Sequence, residues 1–250
     1  MTDISSEVAR ISAENARLLE RLAETERRFH RISRGVLRVQ EEERGRISRD
    51  LHDGIGQSLT ALKIQLELLE QEAEKVEPTL VPSIAAVREL AVACLVEVRE
   101  MARLLRPQML DDLGLEPTLR WLARTVEKRT GVAIELEIHG SEAAPDPDAE
   151  TLVFRIVQEA LTNVVRHANV ASARVRVEHR PERILIAVED HGTGFDADAI
   201  LAARDEEHGF GVRAMRDRVQ SFSGQFRLQS SSSGTLLEAE IPLERGKARP

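Results

Sequence analysis

The chain has a single cysteine, Cys94, in an alanine- and valine-rich stretch. One molecule can therefore build neither a disulfide framework nor a thiolate metal cluster, and Cys94 reads as a small buried hydrophobe. Basic excess is also lacking: 35 lysines and arginines face 43 acidic residues for a net charge of -8, with no basic tail. Nucleic acid is not expected as a direct ligand. No apolar run of about 18 residues is evident, and Met1 to Glu7 offers neither a basic start nor a hydrophobic signal segment. A soluble, cytoplasmic chain without a membrane segment is the expectation. There is no internal repeat, and the low-complexity run Ser230 to Gly234 reads as a hairpin loop. What is present is 250 residues with 42% hydrophobic content, enough for two modest domains or one domain with a long helical appendage.

Apolar residues set the first third. Ile4, Val8, Ile11, Asn15, Leu18, Leu22, Thr25, Phe29, Ile32, Val36 and Val39 alternate four and three apart, a heptad seam. With Val8 at a, the d positions are Ile11, Leu18, Thr25, Ile32 and Val39. Asn15 falls at a, where one buried amide favours a two-stranded, in-register coiled coil. The seam slips past Glu41, Glu42 and Glu43, then resumes as Ile47, Leu51, Ile55, Leu59, Leu62, Leu66 and Leu69. A turn from Glu77 to Pro82 follows, and a second apolar helix runs from about Ser83 to Leu105 until Arg106-Pro107 stops it. Two such helices cannot cover their apolar faces alone; paired across a parallel homodimer they make a four-helix bundle.

From about Leu113 helices and strands alternate. Helices are expected over Leu119 to Lys128, Glu150 to His167 and Gly211 to Phe222. Strands are expected at Val132 to Ile138, Ala173 to Val177, Ile184 to Val188, Gln225 to Gln229 and Thr235 to Ile241.

Chemistry-bearing residues fall into three groups. On the first bundle helix His52 stands at the edge of the apolar stripe, with Asp53 and Gln57 on an outward strip. A neutral imidazole offers one nitrogen lone pair to phosphorus, while Asp53 can accept the hydrogen bond from the other nitrogen and help remove its proton. Gly54 and Gly56 either clear space for a phosphate or weaken the helix locally. On the long helix Glu159, Asn163 and His167 form an i, i+4 row beside Arg166, opposite an apolar stripe of Val153, Val157, Ala160 and Val164. The Asn163 carboxamide suits Mg2+, a hard cation that keeps water and phosphate ligands, with Glu159 as an outer partner; Arg166 and His167 can meet phosphate oxygens. Asp190 follows a buried strand and can accept from an adenine amino group while Gly192 and Gly194 let the backbone close over the base. Gly209 and Gly211 would bring backbone N–H groups to phosphates at a helix N-terminus, after a polar, mobile lid over residues 196 to 208. No Gly-Lys-Ser or Gly-Lys-Thr follows these glycines, so this is not a Walker A loop.

From about Glu41 to Pro242 the ordered set resembles sensor histidine kinases of the subfamily paired with NarL-like response regulators. The resemblance rests on Glu43 to Asp53, on Glu97-Val98-Arg99 with Leu105-Arg106-Pro107, on Phe154 to Asn163 continuing to Ala168, on Asp190 to Phe195, on Gly209 to Met215 and on Gly234-Thr235. Ala214 departs from the glycine usual in the family before the methionine. The resemblance implies an α+β chain: an N-terminal coiled coil and dimeric four-helix-bundle phosphoacceptor domain, followed by an α/β-sandwich ATPase domain of the histidine-kinase and gyrase type. The boundaries expected are 1–40, 41–107, 108–245 and a tail at 246–250. It also implies autophosphorylation of His52 from ATP with Mg2+, a nucleotide role for Thr235, transfer to a regulator aspartate, and a regulator phosphatase in which Gln57 orients water. An ATP-gated switch or scaffold without phosphotransfer is the alternative, and the box around His52 argues against it.

Overall fold

The computed structural model describes residues 2–105, 108–140, 146–202 and 209–243. Two compact units result: one joins Met1–Leu37 with Leu113–Pro250, the other is Arg38–Asp112. Helix α1 (Thr2–Asp50) runs through both. Along α1 the seam residues Val8, Leu18, Leu22, Phe29, Ile32, Val36 and Val39 are all exposed, as an unpaired heptad face must be in a single chain.

In the smaller unit α1 passes into a wide π-helical turn, Leu51–Gly56, and then α2 (Gln57–Val76). A single α-helix was expected here. The reason for the difference lies in the apolar spacing: each four-residue step from Ile47 to Leu59 advances about 40° on an α-helix, and a wider turn takes up that drift. Gly54 and Gly56 sit inside the turn. A methyl at Gly54 would meet nothing within 4 Å, and one at Gly56 only the Leu51 carbonyl at 3.6 Å. Neither packing nor backbone angle therefore demands a glycine at these positions.

After Pro78–Leu80, α3 (Val81–Leu105) returns along α2. Arg88 of α3 donates to Glu70 of α2 at 2.9 Å. The buried Ser48 hydroxyl donates to the Ala102 carbonyl at 2.8 Å, tying α1 to the last turns of α3 one turn before His52. Cys94 is half-buried, more open than expected. Pro78–Leu105 contains an 18-residue window of mean hydropathy 1.7, long and apolar enough to cross a membrane by length and composition only. The interruption by Arg88 and Glu89 hid it in the sequence, and Arg88 has its partner on α2. The Arg106-Pro107 stop lies outside the described residues, as does the expected tail. A short α4 (Gln108–Leu113) follows.

The larger unit is built on one sheet in the order β1-β2-β3-β5-β4, comprising β1 (Ala133–Gly140), β2 (Ser172–Arg180), β3 (Arg183–Asp190), β4 (Gln225–Ser231) and β5 (Gly234–Pro242). Only β1 and β2 are parallel. Helices α5 (Leu115–Thr130), α6 (Pro147–Asn163) and α8 (Phe210–Ser221) cover one face. Burial alternates strictly along β3, with Ile184, Ile186 and Val188 inward, as a sheet wet on one side requires. Phe154, Ile156, Leu119 and Met215 fill the layer between. The outer face carries cross-strand pairs such as Arg174–Glu135 at 2.8 Å and Arg183–Glu240 at 3.0 Å.

Helix α6 starts three residues before its expected first residue because Asp146 caps it, accepting from Asp148 N–H at 2.9 Å, with Pro147 in the first turn. It ends in a second π turn, Val164–Ala168, closed by Asn169 at φ 54°. The expected polar lid is a short α7 (Ala197–Ala202) over part of its length; residues 203–208 lie outside the described residues.

Loss of the Ser48 hydroxyl should cost about 1 kcal/mol, since it leaves a carbonyl near the end of α3 without its donor. The midpoint of chemical denaturation for Ser48→Ala, measured by circular dichroism, should fall accordingly. An unchanged midpoint would show that water replaces the bond at no cost.

Candidate functional site

His52 and Asp53 lie on the π turn with side chains 64% and 65% exposed, and His52 Nδ1 is 3.0 Å from Asp53 Oδ1. The contact is a hydrogen bond in the tautomer that carries the proton on Nδ1, and in that tautomer the ring lone pair is on Nε2. Gln57 is exposed at the first position of α2. His52 is therefore an open imidazole beside a carboxylate.

The second cluster is assembled where α6, β3, the β4–β5 hairpin and the N-terminus of α8 converge. Asp190 ends β3, only 7% exposed, and its Oδ1 accepts from Gly192 N–H at 2.9 Å. That bond folds the loop back over the strand end. Thr193 N–H then donates to the Ala168 carbonyl at 3.2 Å, and Thr193 Oγ1 lies 3.4 Å from the His167 carbonyl. A Cβ on Gly192 would stand 2.3 Å from the Ala168 carbonyl oxygen, so only glycine lets these backbones meet. Across the site, Thr235 pairs with Asp190 in the sheet register, and its hydroxyl is 2.9 Å from Ser230 Oγ. Ser230 Oγ also accepts from Phe195 N–H at 3.0 Å. Gly194, at φ 60°, has no room for a methyl against Ser231. A cavity of about 500 Å³ opens at the ends of β3, β4 and β5, lined by residues of those strands and their turn, among them Asp190, Ser230 and Thr235, and by none of α6 or α8.

Gly209, at φ 71°, precedes α8, whose first turn presents unpaired N–H groups. A methyl on Gly211 would come 2.0 Å from Glu159 Oε1. The carboxylate of α6 thus lies against the helix end that a phosphate would address, and Glu159 and Gly211 belong to one site. Asn163 is half-buried one turn further along α6, while Arg166 and His167 are exposed on the π turn. The straight i, i+4 row expected from Glu159 to His167 is therefore α-helical only as far as Asn163. Donors for a nucleotide and one carboxamide with one carboxylate are in place, which fits Mg2+ held mainly by phosphate and water. No cluster of three or more His, Cys, Asp or Glu suited to a metal occurs among the described residues.

Two participants escaped the sequence reading. Ser230 ties the loop after β3 to the hairpin, yet its run of serines signalled only a turn. Ala168 contributes a backbone carbonyl, and no side-chain pattern can announce that.

Comparison with known proteins identifies both parts of the chain. Residues 43–110 match a histidine kinase family model, and residues 148–245 match the histidine kinase-, DNA gyrase B- and HSP90-like ATPase model. The chain belongs to the histidine kinase family, with a helical region followed by an α/β ATPase domain that binds ATP. It is 33% identical over 215 residues to the sensor histidine kinase MctS of Rhizobium johnstonii, covering 86% of this chain and 46% of that protein. Signal transduction histidine-protein kinase/phosphatase DegS of Brevibacillus brevis is 32% identical, covering 83% and 53%. Oxygen sensor histidine kinase NreB of Staphylococcus carnosus is 32% identical, covering 87% and 62%. The chain thus spans about half the length of the curated relatives it matches. Among solved structures, the histidine kinase domain of the Erythrobacter litoralis EL346 blue-light activated kinase aligns at TM-score 0.45 and 22% identity, over 75% of this chain and 94% of that one.

Gly192→Ala should destabilise the ATPase domain by about 2 kcal/mol, because backbone meets backbone and no flexible side chain can give way. Thermal unfolding of the variant, compared with Gly54→Ala on the π turn, tests this. Equal stability of both variants would contradict the close approach.

Proposed function

We propose that the chain is an ATP-dependent autokinase whose acceptor is His52, and that it passes the phosphoryl group to an aspartate of a NarL-like response regulator. The observation that carries this reading is the 3.0 Å contact of His52 Nδ1 with Asp53 on an exposed wide turn. The contact orients the ring and leaves Nε2 free to attack the γ-phosphorus. The Nε2–P bond forms as the bond from phosphorus to the β,γ-bridging oxygen breaks, ADP leaves, and Asp53 receives the Nδ1 proton. Asp190 and Thr235 recognise adenine, Gly192 and Gly194 close the loop over it, and Gly209 and Gly211 present N–H groups to the phosphates. Mg2+ supplies charge neutralisation when bound; Asn163 is its ligand, Glu159 its outer partner, and Arg166 and His167 meet phosphate oxygens.

The active form is a homodimer in the cytoplasm without direct contact to nucleic acid. Support comes from the exposed apolar residues Ile55, Leu62, Leu69 and Leu90 of the smaller unit, too extensive a face to leave in water. Residues 1–40 act as a coiled-coil signalling helix, 41–107 as dimerisation and phosphotransfer domain and 108–245 as catalytic domain. Incubation with radiolabelled ATP and magnesium should give an acid-labile, alkali-stable product. His52→Gln should lose the label and keep ATP affinity within a few fold; normal labelling of that variant would eliminate His52 as the acceptor.

A second activity rests on Gln57, exposed four residues beyond Asp53. Its amide is placed to hold a water against the regulator's acyl phosphate without touching the attacking nitrogen. Gln57→Ala should slow regulator dephosphorylation about tenfold or more and leave autophosphorylation nearly unchanged, whereas Asp53→Ala should impair autophosphorylation. Paired rate measurements with a NarL-like regulator decide: equal loss of autokinase activity in both variants would end this division of labour.

A further inference from the structure

The end of α1 before His52 carries Arg44, Arg46 and Arg49, and the first two are committed to carboxylates. Arg44 Nε lies 3.9 Å from Glu41 Oε1. Arg46 bridges two acids: its Nε donates to Glu43 Oε2 at 2.9 Å and its Nη1 to Asp50 Oδ2 at 3.2 Å, and the first bond holds the Glu43 carboxyl below its ordinary range. Arg49 differs. It is exposed and makes no ion pair among the described residues, where its hydrogen bond runs from Nε to the Gly45 carbonyl at 3.3 Å. That is longer than such bonds usually are, and both outer nitrogens of the fork are left without a protein partner there.

Arg49 and His52 are three residues apart on one helical run, a spacing that brings Cβ atoms to roughly 5–6 Å of each other. Helical side chains lean toward the N-terminus, so the imidazole stands over the turn that bears Arg49. Ser48, the other residue of that turn within reach, is buried and gives its hydroxyl to the Ala102 carbonyl, which leaves Arg49 as the outward neighbour. On the other side stands Asp53, 3.0 Å from Nδ1. A phosphoryl group carries about one and a half to two negative charges near neutral pH. On Nε2 it would sit close to Asp53, with Asp50 already taken by Arg46. Like charges a few ångströms apart repel even in water, and Arg49 is the cation within reach that no carboxylate has claimed.

We propose that Arg49 is the counter-charge for the phosphoryl group on His52. Once the Nε2–P bond has formed, ADP has left and the Nδ1 proton has passed through Asp53 to water, the guanidinium turns from the Gly45 carbonyl to the phosphoryl oxygens and offsets the repulsion of Asp53. The bond to Gly45 is long and easily exchanged, and a planar fork matches two oxygens of one phosphoryl group. No bond is made or broken at Arg49. It lowers the free energy of the phosphorylated chain relative to the free one, and so sets how much of the chain carries the group at a given ratio of ATP to ADP.

This rests on the autokinase reading, and the test separates the two. The full chain, Arg49→Ala, Arg49→Lys and Arg44→Ala are incubated with radiolabelled ATP, magnesium and ADP at fixed ratios until the label on protein is constant, which gives the equilibrium constant between ATP with free His52 and ADP with phosphohistidine. A contact that is the same in both states cancels from that constant, so a merely structural role does not move it. Arg49→Ala should shift it about fivefold toward ATP at low salt, and the shift should shrink at about 1 M salt, where screening acts within roughly 3 Å. Arg49→Lys, which keeps the charge, should stay within about twofold of the unaltered chain. Arg44→Ala removes the same charge eight residues before His52, about 12 Å along the helix, and should leave the constant unchanged. An unchanged constant in Arg49→Ala, a shift that ignores salt, equal shifts in Arg49→Ala and Arg44→Ala, or Arg49→Lys as impaired as Arg49→Ala overturns the proposal. Complete loss of label in Arg49→Ala exceeds what one screened charge supplies and overturns it too, in favour of a role in the transfer itself. An unaltered chain that takes no label, or His52→Gln that takes it fully, overturns the autokinase reading.

Discussion

Where the chain leaves β3 it turns back against the end of α6, and Gly192 meets the carbonyl of Ala168 with no side chain between them. The buried Asp190 carboxylate holds the turn through the Gly192 amide, and Thr193 completes the seam. The rest of the ATPase fold is arranged around this junction. Had Gly192 carried a methyl, it would meet the Ala168 backbone, and the loop would have to stand away from the end of α6. The β4–β5 hairpin repeats the device on the other side, where Gly194 and Gly234 let backbone meet backbone at Ser231 and Asp190. Three glycines thus convert a sheet edge and a helix end into a single recess, with burial of the strands behind it supplying the rigidity.

Much of this was legible in the sequence, because the periodicities concerned are dictated by burial. The alternation in Ile184, Ile186 and Val188 records one wet and one dry face; the stripe of Val153, Val157, Ala160 and Val164 is buried as read, but α6 also buries Leu152, Phe154, Arg155 and Ile156, so its first half has no wet face. What could not be read was backbone behaviour within helical patterns. The turn at Leu51–Gly56 and the one at Val164–Ala168 have helical composition, and the wide register shows itself only in the hydrogen-bond ladder. Contacts through main-chain atoms, such as those of Ala168, leave no residue-type signature. Pro78–Leu105 shows the converse: its composition alone admits two environments, and pairing of Arg88 with Glu70 specifies the bundle.

The two wide turns occupy corresponding places in the two chemical centres. One carries His52 and Asp53; the other carries Arg166 and His167 at the end of the helix bearing Asn163. A π turn holds one more residue than the α-helix allows, so side chains within it leave the regular stripe and can face in directions that helix packing would otherwise forbid. Exposure of both histidines beside well-buried neighbours, Gly56 in one case and Ala168 in the other, agrees with that use.

For the acceptor helix this has a mechanical consequence. A wide turn behaves as a dislocation in a regular lattice, able to move by exchanging one carbonyl partner for the next while the helices on either side stay intact. Each such step redistributes one residue, about 100° of helical phase, between the segment above and the segment below. With Gly54 and Gly56 in its path the step meets no side chain. The Ser48 tie to α3 just before the turn fixes α1 on one side of it, and the α2–α3 pairing fixes the other, so the turn is where the two registers are reconciled.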